Sequence, residues 1–456
     1  MPHRILRQQI ARPVLDICKE LRNAGERAWV VGGCVRDTLR GQRVNDWDVA
    51  TTALPEKVQK TFGKVIPTGI DHGTVTVLWK GGAYEVTTLR GEGAYTDGRR
   101  PDNVVFVEDI DRDLARRDFT VNAIAYDPVD GHVVDPFNGL ADMRAKRLRA
   151  VGKPSERFQE DGLRILRGAR FVATLDFELE EDTEAAFRGA LDTFRKVSPE
   201  RVREEWLKAM KAQTPSRAFE VMRRTGILEV TYPELLEQVG CEQNQWHAYD
   251  VWDHTMRVLD ESEGGAVERI AALLHDVAKP RTRAKSDKTS DWTFYHHEKV
   301  GADMADRWLR DYRFSNQERE LVVGLVRHHL ICYSSEWTDA AVRRFMKRVG
   351  SDQVEPLLRL GEADALGKGR NVELELRALE ELRGRIDKAI EEGNALTTQD
   401  LAVGGNDVIP LLEGGAGPAV GEILRTLLDR VIEDPTLNTR DKLMPIVEEL
   451  AAKQDQ

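Results

Sequence analysis

The chain has few cysteines and no long apolar run. Its four cysteines, Cys18, Cys34, Cys241 and Cys332, lie far apart among 456 residues. No C-x-x-C spacing and no dense cysteine framework is present, which excludes a disulfide-stapled secreted scaffold and fits a reducing cytoplasm. No stretch approaches the ~20 apolar residues that a spanning helix needs, so no membrane partner is expected. The first residues, MPHRILRQQIARPVLDICKEL, are basic and amphipathic but lack the apolar core of a signal peptide. Low-complexity tracts and short-period repeats are also missing. Positive charge is in deficit, with 67 Lys and Arg against 78 Asp and Glu and a net charge of −11. That deficit is uneven. Residues 1–150 carry 23 basic against 21 acidic side chains, residues 151–245 carry 15 against 18, and the rest carries 29 against 39. A polyanionic partner for the first half is therefore not excluded.

With 41% hydrophobic residues the chain can bury several cores. Up to about Arg149, strand-like runs (RAWVVGG, TVTVLWKGGAYEVTTL, NVVFV) alternate with helical patterns. From Ser155 onward apolar residues recur at helical spacing, with starts such as Ser198-Pro199-Glu200. An α/β head followed by a long all-α body is expected. Breaks are expected near Pro154, near Gly240 and around Gly367-Lys368-Gly369.

The stretch VVGGCVRDTLRGQRVNDWDVATT holds the densest chemistry. RAWVV reads as a buried strand and Cys34 to Arg40 as a short helix stopped by Gly41, which puts Gly32 and Gly33 at a strand-to-helix turn. Glycines there let backbone N–H groups approach phosphate oxygens, and Arg36 could add a bidentate contact. Taken alone, such a turn is more often only a turn. In NDWD, residues two apart on a strand point to one side, so Asp46 and Asp48 project together while Trp47 goes to the core. Two carboxylates that close repel unless a cation sits between them, and paired oxygens suit Mg²⁺. Glu85 in AYEVTTL is the candidate third carboxylate of a two-metal site.

In their order, VGGCVRD, NDWD, YEVTTLR, DLARRDFTVNAIAYD and QEDGLRILRGARF resemble the class II tRNA nucleotidyltransferases, that is, the CCA-adding enzymes and their bacterial poly(A) polymerase relatives. The resemblance covers about residues 25–240. It implies a polymerase-β-type nucleotidyltransferase head over residues 1–150 and a helical neck and body over 151–245. It also implies that Asp46 and Asp48 hold catalytic Mg²⁺, that Gly33 and Arg36 contact nucleotide, and that Arg117 binds nucleotide with Asp118 in the same motif. RRDFT by itself reads as a helix start with a charged cap. In that family a flexible loop corresponds to TLRGEGAYTDGRRPDNV (88–104) and is associated with the final A-addition step.

SERFQEDGLRILRGARFV reads as one helix with Phe158, Ile165, Ala169 and Val172 on an apolar stripe. Arg157, Asp161, Arg164 and Gly168 share another face. An Asp and an Arg one turn apart usually form a surface ion pair worth under ~1 kcal/mol. They also have the chemistry to read a base. Cytosine and adenine each show an amino donor beside a ring-nitrogen acceptor, which a carboxylate and an arginine complement. Uracil and guanine reverse both, and unmatched buried polar groups reject them strongly. The resembled family reads its E-D-x-x-R motif this way, which maps onto Glu160, Asp161 and Arg164. Arg167 and Arg170 match further nucleotide-binding arginines of the family.

Farther on, WDHTMRVL, LLHDVAKP, FYHHEKVGADMA and LVRHHLICY lie on predicted helices with Asp364 in LGEADALG. A lone helical His is usually structural, but the charged Asp in LLHDVA needs a partner. Several His with carboxylates suit a mid-row divalent metal with open positions for hydrolysis. The pattern resembles the HD phosphohydrolase superfamily, which implies ligands His254, His275, Asp276 and Asp364, extended by His297 and His328. Both of the last two stand in His-His pairs, so His296 and His329 are the alternates. Lys279 is placed to meet a phosphate. The HD region is expected over 246–370 and a small helical tail over 371–456.

The expected function is template-independent addition of C, C and A to tRNA 3′ ends from CTP and ATP, with tRNA gripped at its acceptor arm and a metal-dependent phosphohydrolase in the HD region. An A-adding or poly(A)-adding enzyme is the sibling alternative. A phosphohydrolase with a non-catalytic nucleotide-binding head is the alternative of another class, and a non-catalytic RNA-binding protein ranks last.

Overall fold

The computed structural model describes residues 8–91, 105–393 and 395–454. The chain divides into two compact units, Met1–Pro233 and Glu234–Gln456. The first begins as α/β and continues as helices; the second is almost entirely helical. Among the described residues no helix is long and apolar enough to cross a membrane.

A seven-stranded sheet organises the first unit. Its strands are β1 (Ala28–Val31), β2 (Asp48–Thr51), β3 (Val65–Gly69), β4 (Thr74–Trp79), β5 (Gly82–Thr88), β6 (Ala125–Asp127) and β7 (His132–Val134), in the order β3-β4-β5-β2-β1-β6-β7. Only β2 and β5 run parallel; the other neighbours are antiparallel. Every residue of β1 is buried, because both faces of the sheet are covered. On one face, Val30, Val49, Val75, Val77 and Val86 meet the amphipathic α1 (Arg12–Asn23) through Val14, Ile17, Cys18 and Leu21. On the other, Trp29, Val31 and Ala50 pack with Leu89 and Leu114. Burying each such aliphatic side chain contributes ~1.5–3 kcal/mol, which fixes the register of the central strands. That register pairs Asp48 directly with Glu85 across the parallel β2–β5 ladder.

Two local expectations change. RRDFT follows a helix rather than starting one, because α3 (Ile110–Ala115) is capped at Arg116 and the chain then runs through Arg117 and Asp118. NVVFV forms no strand among its described residues; Phe106 makes only an isolated bridge to Arg90. Most of the 88–104 loop, including Arg99 and Arg100, lies outside the described residues.

SERFQEDGLRILRGARFV is not one helix. It breaks into α4 (Pro154–Glu160) and α5 (Leu163–Leu175), with Asp161 extended at φ −145° and ψ 106° between them. The apolar stripe survives: Phe158, Ile165, Ala169 and Val172 are all buried. The break has two physical causes. The Asp161 carboxylate accepts the Leu163 N–H at 3.0 Å, in the manner of a helix cap. Gly162 also lies against the backbone of Phe194, where an added Cβ would stand 2.4 Å from the Phe194 nitrogen. Backbone cannot yield as a flexible side chain can, so Gly162→Ala is expected to destabilise the first unit by roughly 3 kcal/mol. Chemical denaturation followed by tryptophan fluorescence would check this; an unchanged midpoint would refute the close-approach argument. Two helices pack against α5: α6 (Pro199–Ala209) and α7 (Ser216–Thr225).

In the second unit, α8 (Val251–Glu261), α9 (Ala266–Leu274), α10 (His297–Asp311), α11 (Asn316–His328), α12 (Asp339–Val349), α13 (Ser351–Lys368) and α14 (Val372–Glu391) form the main helical body. The tail has a core of its own, built from Leu401, Val408, Leu427, Leu443 and Val447. It is fastened to α12 by Arg343, whose buried guanidinium donates to the Ile432 carbonyl at 2.7 Å.

Candidate functional site

The first unit contains a polar cavity of about 600 Å³ that gathers most of the residues singled out in its sequence. Gly33, Arg36, Asp48, Glu85, Arg117 and Asp118 line it from the sheet side, and Asp161, Arg164, Arg167 and Arg170 from the helices. Eight arginines and five carboxylates line it, so the cavity is cationic inside a chain whose net charge is −11. Such a concave, basic surface attracts polyanions whatever the charge of the whole molecule.

At one end are the carboxylates. Asp48 and Glu85 are cross-strand partners, so their side chains leave the sheet on the same side. Asp46 lies just ahead of β2 rather than on it, exposed, with Trp47 buried between the two aspartates. The Asp48 carboxyl is pushed above its ordinary range, although its residue is open to solvent. Enclosure by the surrounding protein is the first cause; Glu85 and Asp46 add to it against the pull of Arg117. A carboxyl raised in this way, with two further carboxylates close by, fits a divalent cation with oxygen ligands.

Gly32 forms the turn between β1 and α2 (Gly33–Leu39), at φ 77° and ψ −136°. Its missing side chain makes room for Arg117: a Cβ there would stand 2.5 Å from the Arg117 Nη1. Arg36 is buried and committed to the protein, with Nη1 donating to Asn122 and Nε and Nη2 to Asp37. Asp118 is buried too, accepting from the Phe119 N–H, the Asn122 amide and Arg167 at 2.8–2.9 Å. Burial pushes its carboxyl up, but Arg167 and Asn122 more than offset this and hold it well below the usual range. Arg170 bonds Glu205 of α6, a carboxylate that Arg170 and Arg167 keep depressed despite its burial. Three guanidinium groups, of Arg36, Arg167 and Arg170, surround the Phe171 ring at 3.8–5.4 Å.

The helix break separates the predicted Asp161–Arg164 pair. Arg164 donates to Glu160 at 2.5 Å and to the Arg157 and Arg116 carbonyls, whereas Asp161 Oδ2 is held by Arg201 at 2.7 Å. Sequence reasoning missed Arg201, Asn122, Glu205 and Phe171. Arg201 follows the helix start at Ser198-Pro199 by two residues, and nothing in local spacing ties it to Asp161.

The second unit holds a histidine cluster. Nε2 atoms of His254 and His275 stand 3.2 Å apart, and those of His297 and His329 3.1 Å apart. Asp276, fully buried, lies between the pairs. Its Oδ2 is 3.3 Å from His254 and 3.1 Å from His275; its Oδ1 is 3.4 Å from His297 and 3.7 Å from His329. Asp364 Oδ1 reaches His254 at 3.1 Å, and Lys279 reaches Asp276 at 2.6 Å.

His275, His297 and His329 each bond through Nδ1 to the carbonyl three residues back, at 2.6–2.8 Å. This fixes the proton on Nδ1 and leaves Nε2 a lone pair. For His297 and His329 this sets two lone pairs face to face at 3.1 Å, which calls for a cation between them; His254, His275 and Asp276 form a second group with donor atoms close enough to hold a metal, and the two groups share Asp276. Burial keeps the His329 imidazole neutral, pushed down to about 3.

His328 is corrected by this geometry. The last turn of α11 points His329 into the cluster and leaves His328 half-buried beside Arg327 and Arg348, whose charges oppose a metal. In the other pair, His297 is buried and His296 is exposed. The histidines other than His254 sit at helix ends rather than within helices. A cavity of about 280 Å³ opens on the cluster, lined by Lys279, Lys368, Trp292 and Tyr295 among others. His247, which the sequence did not mark, also lines it.

Comparison with known proteins follows the same division. Residues 28–149 match the family described as "Poly A polymerase head domain", 176–238 the "Probable RNA and SrmB- binding site of polymerase A", and 247–367 the HD domain. The chain is similar to the CCA-adding enzyme of Lactobacillus johnsonii, with 43% identity over 250 residues, covering 52% of this chain and 63% of the relative. With that of Lactobacillus delbrueckii subsp. bulgaricus it shares 47% over 219 residues, 48% of this chain and 54% of the relative. The chain thus spans less than two thirds of these curated relatives in the matched region. Its fold is similar to the crystal structure of the Bacillus stearothermophilus CCA-adding enzyme in complex with CTP, at 28% identity and a TM-score of 0.71, over 98% of this chain and 99% of that one.

Proposed function

We propose, from its likeness to CCA-adding enzymes and to the poly(A) polymerase head domain, that this chain is a class II tRNA nucleotidyltransferase that adds C, C and A to tRNA 3′ ends from CTP and ATP. One observation carries this reading: the Asp48–Glu85 pair, an arginine wall and the Asp161–Arg164 segment all line a single cavity. Divalent ions held by Asp46, Asp48 and Glu85, Mg²⁺ by the oxygen donor set, would supply activation of the attacking hydroxyl and charge neutralisation on the triphosphate. Arg117, Arg167 and Arg170 bind the phosphates, and Gly32 and Gly33 let Arg117 and the nucleotide come close to the backbone. Arg36 and Asp118 act from behind, through Asn122 and Arg167. Asp161 accepts from the exocyclic amino group of C or A, and Arg164, braced by Glu160, donates to the ring nitrogen. The helices after residue 150 bind the tRNA acceptor arm by shape and phosphate contacts.

The test is extension of tRNAs ending before C, after the first C and after the second C, each with CTP, ATP, UTP or GTP. Stepwise addition of C, C and A is expected, with no U or G. If only the tRNA already ending in two C residues accepts A, the enzyme is an A-adder; long A tails on any RNA would mark a poly(A) polymerase.

The histidine cluster favours a second activity. In this reading His254, His275, Asp276, His297, His329 and Asp364 hold divalent transition metal, and Lys279 meets the phosphate of a substrate hydrolysed there. The four-domain division, 1–150, 151–245, 246–370 and 371–456, belongs to the same proposal.

A further inference from the structure

Asp161 is the residue on which base selection rests in the proposed function, and its carboxylate is held from two directions. Oδ1 accepts the Leu163 N–H at 3.0 Å and Oδ2 accepts Arg201 Nη2 at 2.7 Å. The first contact comes with the helix break itself. The second comes from α6, forty residues away in sequence, and Arg201 lines the same cavity. We propose that Arg201 is a specificity-positioning residue: it fixes the orientation of Asp161, so that the carboxylate faces the incoming base as a hydrogen-bond acceptor.

The physical argument rests on what an aspartate at a helix break can otherwise do. Asp161 has extended backbone dihedrals and no helical neighbour restraining χ1. With Oδ1 alone fixed, the carboxylate can swing about that bond or turn toward the guanidinium of Arg164, three residues along the chain. Arg164 is already satisfied by Glu160 and two carbonyls, so it leaves Asp161 to another cation. Arg201 supplies one, and its bond to Oδ2 at 2.7 Å adds a second fixed point to the carboxylate. An Asp161 swung away from the base would no longer set an acceptor oxygen against the carbonyl of U or G. Among the described residues the buried Arg201 Nη1 has no hydrogen-bond partner, so Asp161 is the carboxylate this guanidinium is bonded to. Glu205, one turn along α6, bonds Arg170 in the same way, so this helix supports two sides of the cavity.

This inference rests on the base-selecting role proposed for Asp161, and the experiment separates the two. Arg201→Gln, Arg201→Lys, Asp161→Ala and the Asp161→Ala/Arg201→Gln double variant are compared with the wild type. Each receives CTP and UTP together on a tRNA lacking its terminal C, C and A, and the C-to-U incorporation ratio is read. A ratio within one tube does not depend on the fraction of folded enzyme, so partial misfolding leaves it interpretable. Arg201→Gln is expected to lower the ratio roughly tenfold or more, as loss of a charge-assisted bond implies, with Arg201→Lys recovering part of it. The double variant is expected to select no worse than Asp161→Ala alone, because Arg201 acts through Asp161. If Asp161→Ala loses selection while Arg201→Gln keeps the wild-type ratio, Arg201 is not a positioning residue and the inference is overturned. If Asp161→Ala itself keeps the ratio, the base-selecting reading fails and the inference falls with it.

Discussion

Replacing Asp48 by Asn is expected to reduce nucleotide transfer by a factor of roughly 10³ or more, the equivalent of several kcal/mol of lost charge stabilisation in the transition state. The same change is expected to leave the metal-free protein more stable, not less, at neutral pH. Asp48 and Glu85 are paired across two parallel strands, with Asp46 beside them. In a chelator-treated protein these carboxylates repel with no cation to offset it. The sign follows from proton uptake. The Asp48 carboxyl is raised in the folded state above its ordinary value of 3.8. The folded protein therefore holds its proton to higher pH than the unfolded chain, and stability falls as pH rises through that window. Asn removes this loss, so its advantage is present at neutral pH and vanishes below the unfolded carboxylate value. Urea denaturation with EDTA at pH 7 and pH 3.5 measures it. A variant that is inactive and also destabilised at pH 7 would mean Asp48 holds the fold rather than a metal.

How much of this site could be read beforehand depended on the range of the interactions. Asp48, the burial of Trp47 and the Gly32-Gly33 turn follow from short spacing, because a strand start and a strand-to-helix turn are local, whereas Asp46 lies ahead of β2, off the strand on which alternation would have paired it with Asp48. Glu85 does not follow from spacing, since only the parallel β2–β5 register brings it opposite Asp48, and no spacing rule gives a register. Asn122, Phe171, Glu205 and Arg201 were not legible. Each acts through contacts set by helix packing, such as the 40-residue separation between Asp161 and Arg201. The break at Asp161 and Gly162 was hidden for a related reason. Periodicity on both sides is in phase enough to read as one helix, and the closeness of Phe194 that excludes a side chain at Gly162 is tertiary. The alternation of strands followed by helices was sufficient for the α/β head and helical body. Which partner in each His-His pair turns inward was beyond it, because adjacent residues at a helix end differ by about 100° and the end itself was not predicted.

That last ambiguity yields the second large effect. His329→Ala is expected to weaken divalent transition-metal binding by a factor of about 10² or more, while His328→Ala leaves it within about twofold. The two residues are neighbours, so a general disturbance of α11 would affect both. Only His329 brings its Nε2 to 3.1 Å from that of His297, with its Nδ1 proton fixed on the Val326 carbonyl. Binding is best measured by titrating the metal into an Asp48→Asn background, so that the carboxylates of the first unit contribute less. Because each oxygen of Asp276 faces its own pair of histidines, saturation is expected at two ions per chain. His329→Ala should remove the ion held with His297 and spare the one held by His254 and His275, whereas Asp276→Ala should weaken both. Metal at 100 times its dissociation constant should add about 2.7 kcal/mol to the stability of the second unit, an increment that His329→Ala reduces. Equal losses from His328→Ala and His329→Ala would mean a general disturbance of α11, and a loss from His328→Ala alone would place the ligand on the other side of the pair. Absence of binding in the wild type would leave the clustered nitrogens a purely structural network, held together by protons shared with Asp276 and Asp364.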